Sequence, residues 1–262
     1  TGATGSATAK VAAVRGAVGY AWYWGAAGSE VLGAITTINS VSITATATGT
    51  QTAASLPAAD NSTNALEFDG ILTQSMKSGS GSYFKAMADG TPGTGTGLTA
   101  DGAGGIVEIE DAFIWFWNLY RLAPDVIYMS YQELININKK ILGTGGSPLV
   151  RFNVDVSNPA AVMNAMAAGI SIGSYLNKAT GKLVKFEVHP NCPAGTMLFY
   201  SDGLPYKLSG VNELLRILCR RDYYQIEWPL KTRRYEYGVY MDEVLQNYFP
   251  PAFGVVTNIA NA

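Results

Sequence analysis

One stretch of sequence, residues 108–143, constrains the fold more than any other part of the chain. A series of apolar residues recurs there at the spacing of one helical face: Ile109, Ala112, Phe113, Phe116, Trp117 and Tyr120. Ile114, Trp115 and Leu119 make the opposite side apolar too, and a helix that is apolar on all sides is a buried helix. The pattern predicts a buried helix that Pro124 ends, because a proline pushes the preceding residue out of the helical region.

A strand and a second helix are predicted next. Residues 125–129 are typical of a short strand. Ser130 and Glu133 have the spacing of a capping box, in which the hydroxyl and the carboxylate each accept a free backbone N–H of the first turn. Five apolar residues are expected to face inward from this helix: Tyr131, Leu134, Ile135, Ile141 and Leu142. Gly143 is expected to end it in a left-handed conformation, and the helix, central strand and helix predict the core of an α+β domain.

The first 65 residues predict a β-rich segment. Short strands are expected at 10–15, 20–24, 33–38 and 41–46, separated by turns that contain glycine. A complete immunoglobulin-like sandwich needs about seven strands, so four indicate part of an Ig-like or fibronectin-like module. The Thr, Ala, Ser and Asn composition of residues 48–64 is typical of a linker to a second domain, which spans residues 66–262.

The second domain opens with a glycine-rich stretch. Residues 78–105 include nine glycines, which predicts a surface loop without regular structure. After a turn at 143–146, a helix is expected to start at Pro159 and to stop at Gly169. Its apolar face consists of Val162, Met163, Met166 and Ala167. Residues 170–175 and 183–189 are expected to form paired strands, with Val184, Phe186 and Val188 on one side and Lys185, Glu187 and His189 on the other.

The last seventy residues are aromatic and mostly predict strands. A tight loop at 190–195 leads to a strand at 196–200, and further strands are expected at 223–228, 233–240 and 252–259. Residues 212–220 fit a short helix, and residues 241–248 fit a helix or a strand equally well. Charges of both signs crowd this region, which suits a surface that pairs with a neighbouring copy, although a solvated face is the favoured interpretation.

Composition narrows the class of function. Charged residues make up 15% of the chain and the net charge is −2, which argues against binding to nucleic acid or to an anionic membrane. The longest apolar run is far shorter than the roughly 20 residues that span a bilayer. Two cysteines are compatible with a reducing compartment. The chain begins at Thr1 in a Gly/Ala/Thr tract, which favours a fragment or a processed product.

The sequence offers little for nucleophilic or metal chemistry. His189 is the one histidine of the chain, and no G-x-S-x-G elbow accompanies it. His189 with Cys192 would make half a zinc site, but Cys219 stands alone and supplies no second pair. The favoured interpretation of His189 is therefore a residue at a strand end, beside a proline turn.

Glycine loops and carboxylate clusters also favour structural roles. The runs at 93–97 and 143–146 lack the motifs of phosphate-binding loops. Glycosidases use carboxylate pairs, and the candidates for such a pair are Glu67, Asp69, Glu108, Glu110 and Asp111. The last three fall in the first turn of a helix, where the helix dipole favours negative charge. We therefore expect no enzyme activity, no catalytic, cofactor-binding or metal residues, and no cofactor.

The order of several segments resembles a known family. They are LEFDGILTQ (66–74), the glycine-rich loop, the helix with an acidic start, PDVIYMS (124–130), YLNKATGKLVKFEVHP (175–190), PAGTMLFY (193–200) and RRYEYGVYMDEVLQNYFPPAFGVVTNI (233–259). Together they resemble the major capsid proteins of tailed bacteriophages and prophages, which have the Hong Kong 97-type fold. The segment YAWYWGAAGSEVLGAITTINSVSIT (20–44) looks like the Ig-like insertion of some members. The N-terminal arm, long β-hairpin loop and spine helix of the family are not recognisable here.

The resemblance implies a structural function. It implies an α+β fold with a mixed sheet and flanking helices, in which residues 143–200 belong to an axial domain and the neighbouring strands to a peripheral domain. It further implies a homo-oligomer of pentamers and hexamers in an icosahedral shell, with a scaffold protein and a portal as further partners. Packaged DNA is contacted only indirectly, no membrane is involved, and the location is the virion, with assembly in the bacterial cytoplasm.

Two other classes of function remain open at the level of sequence. One is a phage surface or tail-associated binding module that uses the Ig-like segment to grip a host ligand. The other is a hydrolase built on Asp69, Glu108 and Glu110, which is kept only formally.

Overall fold

The computed structural model describes residues 5–59, 69–143, 172–204, 213–229 and 235–261, which form a mixed α+β fold, as the sequence predicts. The N-terminal strands are β1 (Ala7–Lys10), β2 (Tyr20–Trp24), β3 (Val31–Thr36) and β4 (Ser40–Ile43). The middle of the chain forms α1 (Ile71–Met76), β5 (Tyr83–Ala86), α2 (Val107–Tyr120), β6 (Val126–Met129) and α3 (Tyr131–Gly143). The remaining strands are β7 (Ser174–Asn177), β8 (Lys182–Val188), β9 (Met197–Tyr200), β10 (Leu215–Glu227), β11 (Tyr237–Asn247) and β12 (Phe253–Thr257).

A six-stranded mixed sheet forms the body of the protein, in the order β5-β12-β9-β6-β8-β7. The pairs β5–β12 and β6–β8 are parallel, and the other three pairs are antiparallel. The expected positions of β6, β8, β9 and β12 are confirmed to within one or two residues. Because β12 lies inside the sheet, all five of its residues are buried, which suits its short apolar sequence.

Helices α2 and α3 contribute to one hydrophobic core with the sheet. The ring of Phe116 lies 6.4 Å from that of Phe199 and 6.3 Å from that of Tyr83. Gly254 of β12 allows this approach, since a Cβ there would lie 2.9 Å from the Phe116 ring. The helix packs this closely on the sheet because the strand has no side chain at that point.

Helix α2 differs from its prediction in two ways. It ends at Tyr120, four residues before Pro124, because Arg121 adopts a left-handed conformation with φ of 56°. The N–H of Arg121 donates to the carbonyl of Trp117, as in an αL motif, and the N–H of Leu122 donates to the carbonyl of Phe116. The helix is also not buried on all sides, because the sheet covers one side only, and Ile114 and Leu119 are 57% and 61% exposed.

Helix α3 buries only part of the face that was predicted: Ile141 is buried and Leu134 packs against the core, as expected. Its buried residues are Glu133, Asn136, Ile137 and Ile141. Tyr131 and Leu142 are exposed, and Gly143 is the last helical residue without a positive φ, so three predictions for this helix are wrong. The capping box is half formed. The N–H of Glu133 donates to Oγ of Ser130 over 3.3 Å, but the Glu133 carboxylate accepts hydrogen bonds from residues elsewhere.

The N-terminal segment consists of two antiparallel ribbons, β1–β4 and β2–β3. Strand β2 has its predicted bounds, whereas β1 begins and ends earlier than residues 10–15. Residues 48–55 are not a free linker, because they run along β3: Thr52 bridges Val31, and the N–H of Leu32 donates to the carbonyl of Gln51. Of the other predicted linker residues, 56–59 form no helix or strand, and 60–64 lie outside the described part.

Buried polar contacts join this segment to the body. The backbone N–H of Asn39 donates to Oδ1 of Asn258 over 2.8 Å, and its side chain donates to Asp89 over 2.6 Å. Arg15 donates to the carbonyl of Met76, at the end of α1, and its guanidinium lies 4.7 Å from the centre of the Phe84 ring. The N-terminal ribbons therefore pack against the sheet domain.

The glycine-rich stretch is more ordered than predicted. Strand β5 lies within it and forms one edge of the six-stranded sheet. Met87 and Leu98 from the same stretch are buried in the core. The prediction of an irregular surface loop is wrong for these residues, because the segment 83–86 gains a parallel partner in β12.

The longest strands form a separate two-stranded ribbon, β10–β11. Residues 215–220 are strand and not helix, and the region that sequence left undecided, 241–247, is also strand. Cross-strand hydrogen bonding decides both cases, since the two strands pair from Leu215–Asn247 to Glu227–Tyr237. The predicted helix at 159–169 and the turn at 144–146 lie outside the described residues. No helix among the described residues is long and apolar enough to cross a membrane.

Candidate functional site

A cleft of about 610 Å³ lies on the face of the sheet opposite α2. Helix α1 covers this face next to β5 and β12, and leaves the surface over β9, β6 and β8 open. The residues that line the cleft are Gly70, Ile71, Leu72, Tyr128, Glu187, His189, Asn191, Cys192, Leu198, Tyr200 and Leu215. Most of this lining is apolar, and the polar groups come from neighbouring strands.

Strand register brings the polar groups of the cleft together. Tyr128 of β6 pairs with Glu187 of β8 on one side and with Leu198 of β9 on the other. Tyr200 lies two residues along β9, so it points to the same face, and its ring centre is 6.4 Å from that of Tyr128. His189 meets Tyr128 edge to face, with 6.3 Å between ring centres.

The hydrogen bonds of His189 define its neutral tautomer. The backbone N–H of Asn191 donates to Nδ1 of the imidazole over 3.2 Å. Nδ1 is therefore the acceptor, and Nε2 carries the proton in the neutral ring. The side chain of His189 is exposed, and its backbone N–H donates to the carbonyl of Met129. His189 thus follows a strand end beside a proline turn, as predicted.

Burial and nearby carboxylates raise the pKa of two tyrosines and one cysteine in the cleft. The pKa of Tyr128 is raised by burial and then by the charges of Glu187 and Asp202. The pKa of Tyr200 is raised by burial and by the hydrogen bond that its hydroxyl donates to Asp202 over 2.8 Å. Burial, with a smaller effect of Glu133, raises the pKa of Cys192 to about 11. At neutral pH both phenols and the thiol stay protonated.

This geometry suits binding better than nucleophilic chemistry. The sulfur of Cys192 faces the carbonyls of Tyr128 and Thr196 at 3.8 and 3.7 Å, and its raised pKa leaves little thiolate to attack a substrate. Within the described ranges, no three His, Cys, Asp or Glu side chains are grouped as metal ligands. The aromatic rings and the Glu187 carboxylate form a surface that attracts a cation with apolar neighbours.

The acidic residues at the start of α2 have separate structural partners. Glu108 accepts the backbone N–H of Thr99 over 2.9 Å. Glu110 accepts the Tyr175 hydroxyl and pairs with Lys178, both at 2.8 Å, whereas Asp111 pairs with Lys85. These contacts fit the structural interpretation of the cluster. Asp69 is exposed just before α1, and Glu67 lies outside the described residues.

The glycine run at 93–97 packs into the body of the protein. The N–H of Gly93 donates to Oγ of Ser40, so this donor is already used. Gly95 has φ of 72° and lies against Ile38 and Ala260, where a Cβ would come within 3.1 Å of each side chain. The run is a packed turn and not an open loop that could surround a phosphate.

A second candidate surface lies on the β10–β11 ribbon. Tyr237 and Val239 are two residues apart on β11 and share one side, and Tyr223 lies in the adjacent bulge of β10; they are 64%, 62% and 72% exposed, and we call these three residues the ribbon patch. On the other side, aromatic side chains contact one another. Tyr224 and Tyr240 have ring centres 5.9 Å apart, and Trp228 and Tyr240 have theirs 6.2 Å apart.

Sequence reasoning identified parts of both surfaces without their function. The alternation at 185–189 placed Glu187 and His189 together on one side of a strand, which is the signal that leads to the cleft. Tyr128 and Tyr200 were not predicted as partners, because only the strand order brings β6 between β8 and β9. A scan of protein-family models gives no match to this chain, and a search of curated proteins finds no similar sequence.

Proposed function

We propose that this chain is a major capsid subunit of a tailed bacteriophage or prophage. Its fold is of the Hong Kong 97 type, and the ribbons β1–β4 and β2–β3 belong to an Ig-like insertion. Copies of the chain form pentamers and hexamers that close an icosahedral shell around DNA, with help from a scaffold protein and a portal. The subunit acts in the virion, after assembly in the bacterial cytoplasm.

The observation that carries the proposal is the exposed apolar surface of the ribbon. Strands of 13 and 11 residues expose the ribbon patch to solvent. Gln225 lies opposite Val239 and Glu227 lies opposite Tyr237, so polar residues rim the patch. Exposed apolar surface with a polar rim marks a site of association, because its exposure to water is unfavourable. The order of the sequence segments and the mixed sheet with flanking helices are compatible with the same assignment.

The proposal predicts self-assembly that depends on the ribbon patch. The full chain is expressed alone and with its scaffold protein, and particles are examined by electron microscopy and sedimentation velocity. Shells or capsomers are expected. Tyr223→Thr, Tyr237→Thr and Val239→Thr together keep the β-propensity of the ribbon but remove apolar surface, so the concentration needed for assembly should rise on the order of tenfold or more.

The control is Ile35→Thr, which changes an equally exposed strand residue of β3 far from the ribbon in sequence. This variant should assemble like the wild type. A wild-type chain that stays monomeric with its scaffold, under conditions that span concentration and salt, would contradict the proposal. Binding of that monomer to host cells would instead favour a tail-associated binding module.

A further inference from the structure

We infer that the cleft receives the ribbon of a second copy of this chain, and that Glu187 pairs there with Arg220. This inference rests on the proposed function, since it names the partner surfaces for one contact between subunits. The cleft and the ribbon would form a head-to-tail interface, in which each copy uses its cleft for one neighbour and its ribbon for another.

The cleft has the chemistry to bind an arginine with aromatic neighbours. Glu187 provides a carboxylate, and the rings of Tyr128, Tyr200 and His189 surround the same end of the cleft. A guanidinium stacks on aromatic faces and pairs with a carboxylate at the same time. Ile71, Leu72 and Leu198 provide an apolar surface for the residues that flank such a cation.

The ribbon exposes groups that suit the cleft, and these groups lie where the pairing of β10 with β11 is irregular in two places. The register shifts between Cys219 and Arg221, which leaves Arg220 as an extra residue on β10. It shifts again between Arg221 and Tyr224, so Tyr223 also lies in an irregular stretch. β-Bulges bend a strand and change the direction of a side chain, and they recur at functional positions. The bulged segment, residues 220–223, is exposed along its whole length.

Charge also matches between the two surfaces. Residues 216–223 of β10 contain three arginines and the acid Asp222, and β11 places Glu243 opposite Cys219 and Asp242 opposite Arg221, so the match depends on Arg220, the arginine of the bulge that has no cross-strand partner. Arg221 lies over the Tyr224 ring at 3.8 Å, whereas no ion pair among the described residues involves Arg216 or Arg220. Of the described residues that line the cleft, the only charged one is the acid Glu187, with Asp202 bonded to the Tyr200 hydroxyl beside it.

The ribbon that the cleft receives belongs to another copy. Leu215, the first residue of β10, itself lines the cleft, and β10 extends from there as one strand of the ribbon for 13 residues, or about 43 Å. Residues 216–223 are exposed, so they do not pack on the body from which they extend. A contact between two different surfaces of identical chains is heterologous, and it generates a closed ring when the rotation between neighbours closes. Pentamers and hexamers are rings of this kind.

Charge reversal in the full-length chain tests the inference. Glu187→Lys and Arg220→Glu should each raise the concentration needed for assembly at least about tenfold, because like charges then face each other. The double variant E187K/R220E should regain assembly. An equimolar mixture of the two single variants should regain hexamers, since every interface in an alternating ring of six contains one opposite pair, whereas a ring of five cannot alternate and should not be rescued. Lys77→Glu, a charge reversal on an exposed residue after α1, is the control and should behave like the wild type.

A cross-linking measurement covers variants that fold poorly. Benzoylphenylalanine at position 223 is irradiated in a mixture of isotopically heavy and light chains. Heavy-to-light cross-links to residues 185–200 are expected, and a reactive group at position 131 of α3 serves as the control. If the wild type assembles while E187K and R220E assemble equally well, or if the cross-links fall within one chain or on another element, the inference is wrong and the proposed function stands. A wild type that never assembles contradicts both.

Discussion

The six-stranded sheet and the β10–β11 ribbon contain similar residues, but the sheet buries them and the ribbon exposes them to solvent. Both consist of strands rich in aromatic and β-branched side chains. In the sheet, every residue of β12 is buried, because helices and neighbouring strands cover it. In the ribbon, most residues of β10 are exposed. The difference teaches that apolar content indicates a need for a partner, whereas the tertiary structure decides whether that partner is in the same chain.

The two regions also differ in what holds them together. An isolated two-stranded hairpin is at best marginally stable in water. Here the base of the ribbon is attached to the body, since Leu214 is buried in the core and the side chain of Gln74 donates to the carbonyl of Leu245 over 3.2 Å. Toward the far end, contacts of Tyr240 with Tyr224 and Trp228 replace a core. The ribbon thus depends on the body, while the central strand β12 of the body is buried within the core of the same chain.

The largest effect on stability is expected in the sheet body. Phe116→Ala should lower the free energy of unfolding by about 3 to 5 kcal/mol, because it leaves a cavity between α2 and the sheet. Urea denaturation followed by tryptophan fluorescence measures the change. The control is Ile114→Ala, two residues earlier and mostly exposed, which should cost much less. Equal losses for both variants would mean that the two sides of α2 are packed alike.

A smaller loss is expected where the N-terminal segment meets the body. Asn39→Ala removes the donors to Asp89 and to the carbonyl of Val11, and it leaves the buried side chain of Asn258 without one acceptor. The expected cost is about 1 to 3 kcal/mol, with faster proteolysis within residues 5–59. Asn118→Ala, an exposed change on α2, is the control. Unchanged stability and proteolysis would show that the segment behaves as an independent domain.

A buried carboxylate in the body should make stability depend on pH. Glu133 accepts the N–H of Gly195 over 2.9 Å and the Asn136 side chain over 3.2 Å, and none of the ion pairs of the described residues involves it. Burial is the main cause that raises its pKa above the ordinary value for Glu. The folded state therefore holds this proton more tightly than the unfolded state, so its contribution to stability is greatest below the ordinary Glu pKa.

As pH rises from that value through the raised pKa, this contribution is lost, because the folded state must then keep a charged carboxylate away from water. Glu133→Gln cannot ionise, so the unfolding free energy of the wild type minus that of E133Q should fall with pH over this window. Denaturation at a series of pH values measures it. Glu30→Gln, in the N-terminal ribbons, supplies the comparison. A difference that rises with pH would reverse the sign of the expected effect.

The smallest effect on stability is expected in the ribbon. Val239→Thr changes one exposed strand residue, and it should alter the unfolding free energy of the monomer by no more than about 0.5 kcal/mol. Chemical denaturation at a concentration below assembly measures this. Val255→Thr, the same substitution in buried β12, is the matched control and should cost clearly more. If both substitutions cost the same, the ribbon is as well packed as the sheet.

Sequence patterns predicted where the helices and strands of the body lie better than which of their faces are buried. The start of α2 and the strands β6, β8 and β12 follow from local apolar spacing and turn residues. The end of α2 did not, because a left-handed Arg121 is not a common helix stop and Pro124 offered a simpler signal. On α3, the polar residues Glu133 and Asn136 are buried, because hydrogen bonds within the protein replace those with water. A hydropathy pattern does not predict such burial.

The sequence by itself determined the α+β class, the short apolar strands and the placement of Glu187 and His189 on one side of β8, because these depend on residues close together in the chain. The tertiary structure alone decided that β5 joins the sheet, that β6 lies between β8 and β9 to form the cleft, and that β10–β11 extends as an exposed ribbon. These features depend on pairing between strands far apart in the chain. Local spacing limits such pairing, and the packing of the whole domain selects it.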